Sequence, residues 1–185
     1  MEARSERNFF SFLGLPRKLN LDVADLEQRY RALSRQFHPD FFYNASPAER
    51  RASLENTSYL NDAYRTLKNP VARIEYLLKL EGMTTTATAA PPSLLEEVFA
   101  LNEELDEIRE ARANGASADD IRVRLERARK PIEEKRDAHE QDLKALSAKW
   151  DAAGDRQVLE SLRERILERN YINNLLAGIE KELTA

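Results

Sequence analysis

The histidine and the carboxylate of one tripeptide are the residues of this sequence best suited to chemistry. His38, Pro39 and Asp40 stand together. Proline holds its own φ at about −65°. Because it lies between the histidine and the aspartate, the imidazole and the carboxylate form a stiff polar pair. Such a pair could act as a general base, or its carboxylate could accept two hydrogen bonds from an arginine of a partner. It could also be only a turn that stops a helix. Since no nucleophile or oxyanion site accompanies it, we expect a binding protein and no enzyme.

The composition excludes several other kinds of site. The 185 residues include two histidines and no cysteine, which rules out disulfides, thiolate zinc sites, cysteine-bound iron–sulfur clusters and thiol nucleophiles. We therefore expect no resident cofactor or metal. A net charge of −4 with both signs mixed argues against general nucleic-acid binding. The sequence has neither an apolar run of about 18 residues nor a secretory signal, so we expect a cytoplasmic protein without a membrane partner.

Helix signals surround the tripeptide and continue along the whole chain, which predicts an all-α protein. Asp22 has the side chain of an N-cap, and apolar residues follow at spacings of three and four up to Phe37, where the next proline should end the helix. Asn8 should cap a short aromatic helix before it. A capping box at residues 46–49 opens a helix after it, and a fourth helix should end near Gly82.

A change of composition divides the chain into two halves. Residues 83–92 (MTTTATAAPP) carry no charge and end in two prolines, which indicates a linker. Residues 1–82 contain 13 basic and 11 acidic side chains, whereas residues 83–185 contain 16 and 22. We predict one helical domain over residues 1–82 and a second over residues 93–185, in which three helices with short turns form an antiparallel bundle.

Three local signals mark the helices of the second half. The segment 93–96 (SLLE) reads as a capping box that opens the first of them. Pro131 lies inside the long second helix, where we expect a kink or a short break. Gly154 should end that helix and let the last one begin.

The helix before the tripeptide ends in basic residues: Arg29, Arg31 and Arg35. The order over residues 8–82 is a short aromatic helix (NFFSFLGL), a basic helix, His-Pro-Asp and a third helix, and in this it resembles the J-domain family. The resemblance implies that this surface docks on the ATPase domain of a DnaK-type chaperone and accelerates its ATP hydrolysis. The residues implied in binding are Arg29, Arg31, Arg35, His38, Pro39 and Asp40. The arginines also complement the dipole of their helix, which explains part of the pattern.

The chain departs from many J-domains directly after the tripeptide. Those domains have lysine there, whereas this sequence has Phe41, Phe42 and Tyr43. A positive charge is therefore missing at this position, and we expect the aromatic side chains to pack under the loop.

In the first helix of the second half, two large apolar residues lie off the main apolar stripe. Leu95 and Phe99 begin a row that continues at steps of four to Glu103 and Glu107. The main stripe already suffices to pack against two other helices. From the pattern alone, the row is either a contact surface or part of a broad core face. The main stripe consists of Leu94, Val98, Leu101, Leu105 and Ile108.

Two further segments, residues 73–78 (RIEYLL) and 101–108 (LNEELDEI), resemble the HscB family, the J-domain co-chaperones of iron–sulfur cluster assembly. The chain resembles the bacterial form, since it lacks the cysteine-pair zinc module of some eukaryotic relatives. The resemblance implies that the bundle binds the cluster scaffold IscU and delivers it to the chaperone HscA. Any metal would then arrive on the client. The client-binding positions carried over are Leu95, Phe99, Glu103, Glu107 and Tyr171, with Glu96 and Ala100 departing from the usual patch.

Three alternatives remain beside this interpretation. The chain could be a J-domain adaptor for a different client. It could be a plain helical scaffold in which the tripeptide is accidental. It could also be a small hydrolase, which would require a buried pocket and a perturbed histidine around His38 and Asp40.

Overall fold

The computed structural model describes residues 7–86 and 91–184, and in these two stretches all regular secondary structure is helical. This confirms the prediction of an all-α protein. Two short 3-10 helices cover Pro39–Phe42 and Pro92–Leu94. The α-helices are α1 (Phe9–Phe12), α2 (Val23–Phe37), α3 (Pro47–Lys68), α4 (Pro70–Leu80), α5 (Leu95–Ala113), α6 (Ala118–Ala153) and α7 (Arg156–Leu183).

The predicted helix starts of the first half are confirmed by their caps. The Asp22 carboxylate accepts the N–H of Ala24 at 2.8 Å. Ser46 and Glu49 form the reciprocal bonds of a capping box at the start of α3. These side chains satisfy backbone donors that have no partner within the helix, so each helix begins where its sequence specifies.

Helices α2 and α3 form an antiparallel hairpin. The start of α2 meets the end of α3 through Glu27 and Lys68, whose carboxylate and ammonium lie 3.1 Å apart. At the opposite end, the carbonyl of Phe37 accepts a bond from the Ser53 hydroxyl. Helix α1 packs into the same cluster, and the largest fully buried side chains there are those of Phe10, Leu13, Leu26, Leu60 and Leu67.

Helices α5, α6 and α7 pack into the predicted bundle. Arg129 of α6 lies near Glu180 of α7, and His139 of α6 lies near Glu168 of α7, so these two helices run antiparallel. Two apolar clusters fill the bundle. One contains Leu101, Leu105, Ile108, Ile121, Leu125 and Ile179, and the other contains Leu94, Val98, Ile132 and Ile172.

The structure overturns one expectation for the second half and limits another. Helix α6 continues through Pro131 without the short break that the sequence allowed, whereas a kink there stays a prediction. Pro131 lies on the exposed side of α6, where water can reach the carbonyl that loses its donor. No side chain caps the start of α5. The Ser93 hydroxyl donates instead to the carboxylate of Glu168, and a 3-10 turn leads into the helix.

The two halves share an apolar interface around α4. Ile74, Leu77 and Leu78 of α4 are buried against side chains of α6 and α7. Arg73, also buried, donates to the carbonyls of Leu67 and Leu19, the first at 2.6 Å. The side chains that meet α4 are Leu143, Leu159, Leu162 and Ile166.

The predicted linker is only partly within the described chain. Residues 87–90 of the segment 83–92 lie outside the described residues, so the linker stays a prediction. At the start of this segment, the carbonyl of Thr84 accepts a hydrogen bond of 2.8 Å from Arg163 of α7. The start of the segment is therefore fixed to the bundle.

Candidate partner-binding surfaces

The His-Pro-Asp tripeptide forms an exposed polar corner at the end of α2. His38 leaves the helix with φ −59° and ψ 128°, the extended geometry that a following proline favours. The N–H of Asp40 donates to Nδ1 of His38 at 3.3 Å, and an oxygen of the Asp40 carboxylate lies 3.5 Å from the same nitrogen. Both side chains are exposed. A hydrolase would need this pair inside a buried pocket, whereas both side chains lie exposed to solvent.

Two hydroxyl groups of α3 hold the corner in place. The carbonyl of Phe37, one of the last of α2 and without a helical donor, accepts bonds from Ser53 at 2.7 Å and Thr57 at 3.0 Å. The ring of Phe37 stacks on that of Phe12, with centroids 5.8 Å apart. Sequence reasoning missed Ser53 and Thr57. The available signal was their spacing of four on α3, which puts both hydroxyls on one face.

Arg31 and Arg35 form an exposed basic stripe that leads to the corner. They lie one turn apart on α2, and both line a shallow groove with Ala24 and Gln28. Arg31 has only a loose ion pair, 3.6 Å from Glu27. A stripe of this kind can attract an acidic surface and orient the approach of a partner.

Arg29 lies on a different face and makes contacts within the chain. Its Nε lies 2.9 Å from both carboxylate oxygens of Asp25, and its Nη1 donates to the carbonyl of Gly14 at 2.6 Å. Gly14 has φ +65°, and a Cβ there would lie 2.9 Å from the same Nη1. Arg29 thus fastens the turn after α1, and its part in partner binding stays a prediction.

The aromatic residues after the tripeptide do not pack as expected. Phe41 is 73% exposed and Tyr43 is 79% exposed, so the expectation that they lie under the loop is wrong. Only Phe42 is half-buried. The ring contact that the structure gives Phe41 is an edge-on one with His38, with centroids 6.2 Å apart.

A second surface runs along the outside of α5. Leu95 is 41% exposed and Phe99 is 70% exposed, so these two side chains are not part of the bundle core. Glu103 and Glu107 continue the row, and both are exposed. The Glu107 carboxylate lies 2.8 Å from Arg124 of α6. The surface therefore combines two large apolar side chains with two carboxylates.

Tyr171 lies at the same end of the bundle as this row. It is half-buried and packs against the cluster that contains Leu94 and Val98, the chain neighbours of Leu95 and Phe99. Tyr171 therefore shares an apolar cluster with the start of α5, and its part in client binding stays a prediction.

A buried polar cluster that sequence reasoning missed supports the start of α5. Nδ1 of the buried His139 lies 3.3 Å from the carboxylate of Glu168, which also accepts bonds from Ser93 and from Arg165 at 2.5 Å. Burial lowers the pKa of the His139 imidazole below its ordinary value, and the charge of Glu168 opposes that shift in part. The cluster joins α6, α7 and the 3-10 helix before α5.

In the described ranges, no helix is both long and apolar enough to cross a membrane. Within the same ranges, no three His, Asp or Glu side chains gather closely enough to hold a metal ion.

Comparisons with known proteins agree with this architecture. The family model of the DnaJ domain matches residues 8–76. The structure of chaperone HscB from Vibrio cholerae is 28% identical in sequence and aligns over 95% of this chain and 96% of its own, with a TM-score of 0.64. The crystal structure of human co-chaperone protein HscB is 26% identical and aligns over 100% of this chain and 87% of its own, with a TM-score of 0.66. These matches confirm the resemblances found in the sequence.

Proposed function

We propose that the chain is a J-domain co-chaperone of the HscB type, and that its partner is an HscA- or DnaK-like ATPase chaperone whose ATP hydrolysis it accelerates. The match to the DnaJ domain and the likeness to the two HscB structures support this proposal. The observation that carries the proposal is the exposed corner of His38 and Asp40 at the end of a basic helix. A cytoplasmic location, where the chaperone has access to ATP, is part of the proposal.

The corner acts by binding and makes no covalent bond. The basic stripe, Arg31 and Arg35, orients the encounter, and the Asp40 carboxylate is free to accept a paired hydrogen bond from an arginine of the chaperone. Binding then favours the chaperone conformation that hydrolyses ATP. Each tenfold acceleration requires about 1.4 kcal/mol of selective stabilisation. Because Ser53 and Thr57 fasten the end of α2, little freedom is lost when the partner binds.

The client in this proposal is an IscU-like iron–sulfur scaffold, bound along α5. The exposed side chains of Leu95 and Phe99 supply apolar area, while Glu103 and Glu107 attract basic groups at the rim. Tyr171 adds an aromatic edge at the same end of the bundle. Any iron–sulfur cluster belongs to the client, as cargo.

The interface around α4 gives delivery a geometric basis. Ile74, Leu77 and Leu78 fasten the half that carries the corner to the half that carries the client row. In the proposed division, residues 1–82 contact the chaperone, residues 83–92 link the halves and residues 93–185 bind the client. A client held on α5 is then presented at a fixed distance from the chaperone.

The deciding experiment is the steady-state ATPase rate of the chaperone with the scaffold present, measured with wild-type protein and with His38→Gln. We expect strong stimulation by wild type and none by the variant. His38 is exposed, so circular dichroism and thermal unfolding should be the same for both proteins. If the wild-type protein does not change the ATPase rate of the chaperone, the proposal is wrong. The chain would then be a helical interaction protein without an assigned partner.

A J-domain adaptor for a different client is the second candidate. The observation in its favour is that Glu96 is charged and Ala100 is small, and that both are exposed beside the client row. Direct titration of the scaffold separates the two candidates. ATPase stimulation without measurable scaffold binding would favour the adaptor.

A further inference from the structure

Two exposed aromatic side chains beside the His-Pro-Asp corner have no role in the fold or in the proposed steps. Phe41 belongs to the same 3-10 helix as Pro39 and Asp40, and Tyr43 follows that helix directly. They are among the most exposed large hydrophobic residues of the described chain. An aromatic ring left in water at a position the core does not need is a common mark of an interface.

We propose that Phe41 and Tyr43 are apolar anchors through which the chain binds the ATPase chaperone, an inference that rests on the proposed function. The ring of Phe41 meets that of His38 edge-on, with centroids 6.2 Å apart and planes at 74°. A partner that covers His38 and Asp40 therefore covers Phe41 as well. The partner surface that fits is acidic opposite the arginines and apolar opposite the aromatics.

The charged side chains and the aromatic rings contribute differently to binding. Arg31, Arg35 and Asp40 are exposed, and exposed charges contribute more to the rate and direction of encounter than to affinity. Their contribution also weakens as salt screens it. A buried aromatic ring contributes affinity that salt does not screen. Where relatives carry lysine after the tripeptide, this chain replaces a charge by an apolar contact.

The test is the stimulation of the chaperone ATPase without scaffold, measured as a function of co-chaperone concentration at about 0.05 M and about 0.3 M salt. Four proteins are compared: wild type, Phe41→Ser/Tyr43→Ser, Arg31→Gln/Arg35→Gln and Val123→Ser. Val123 is the control, since it is 68% exposed on α6 and belongs to neither surface. Sedimentation of each protein reports its oligomeric state.

We expect the aromatic double variant to need about tenfold more protein for half-maximal stimulation at both salt concentrations, equivalent to about 1.4 kcal/mol of binding free energy. Its maximal stimulation should be retained, because His38 and Asp40 are intact. The arginine variant should show its largest increase in half-maximal concentration at low salt. Val123→Ser should behave as wild type at both salt concentrations.

Three results would overturn the inference. If wild type stimulates and the aromatic variant has the same half-maximal concentration, the rings do not contact the chaperone, while the proposed function stands. If wild type is a dimer that the aromatic changes dissociate without any change in stimulation, the rings bind a second copy instead. A chaperone that does not respond to the wild-type protein would remove the proposed function and this inference together.

Discussion

The carboxylate of Asp151, near the end of α6, accepts the backbone N–H of Leu19 at 2.7 Å, although 132 residues of chain separate the two. Its second oxygen accepts the N–H of Asn20, also at 2.7 Å. Burial lowers the pKa of the neighbouring Arg73, and the charge of Asp151 counteracts that shift. One side chain of the bundle thus fastens the loop before α2.

Replacing Asp151 should loosen the two halves without unfolding either of them. Asp151→Ala leaves two backbone donors without their acceptor, so we expect the free energy of unfolding to fall by about 1–3 kcal/mol. Urea unfolding measures this loss, and small-angle scattering should show a wider distribution of shapes. Glu160→Ala, at an exposed position of α7, is the control. An unchanged stability would mean that water replaces the carboxylate at no cost.

The hydroxyls that fasten Phe37 should matter for both stability and function. Ser53→Ala/Thr57→Val removes two donors to one carbonyl, and we expect a loss of about 1–3 kcal/mol together with weaker stimulation of the chaperone. Thermal unfolding and the ATPase assay measure the two effects. Ser58→Ala, on the exposed face of α3, controls for the loss of a hydroxyl. Full stimulation by the double variant would show that the corner keeps its geometry without these bonds.

The client row can be tested without disturbing the fold. Leu95→Ala/Phe99→Ala changes exposed side chains, so the melting temperature should remain within a few degrees of wild type. Scaffold affinity, measured by calorimetry, should fall about tenfold or more, as expected for apolar anchors of an interface. ATPase stimulation without scaffold should be unchanged. Equal scaffold affinity in the variant and the wild type would show that the client binds at a different surface.

Acid should weaken the bundle through His139. Its pKa is lowered in the folded protein, so below the ordinary value of about 6.5 the unfolded chain binds a proton that the folded protein does not. Stability should therefore be independent of this group above about pH 7 and should fall as the pH decreases through 6. The maximal slope is about 1.4 kcal/mol per pH unit. The charged groups that act on His139 are Glu168, Arg165, Asp142 and Lys135.

The measurement is the free energy of unfolding between about pH 5 and 8 for wild type and His139→Gln. The variant should lose the slope near pH 6. A slope that persists in His139→Gln would assign the effect to another group.

Local signals were enough to predict the first half and the helices of the second. The start of α2 at Asp22 and its end before Pro39 depend on neighbouring residues alone, so the sequence contains them. The row of Leu95 and Phe99 could be recognised in the sequence, since the main apolar stripe of this helix already suffices to pack against the other two helices. Whether that row is exposed could not be decided until the width of the packed face was known.

The expectations that failed depend on contacts between distant residues. Ser93 could cap its own helix, but its hydroxyl donates a hydrogen bond to the distant carboxylate of Glu168. Phe41 was expected to pack under its loop, but the side chain is 73% exposed. The pairing of His139 with Glu168 joins two helices whose register no local pattern specifies.

The interface around α4 also limits how the halves can be exchanged. Leu77 and Leu78 are fully buried, and part of what covers them comes from α6 and α7. A fragment cut after residue 82 would expose that apolar strip to water and should aggregate. The two halves therefore cannot be exchanged freely between proteins. A J-domain taken from another co-chaperone would pack on this bundle only if its last helix carried apolar residues complementary to those of α6 and α7.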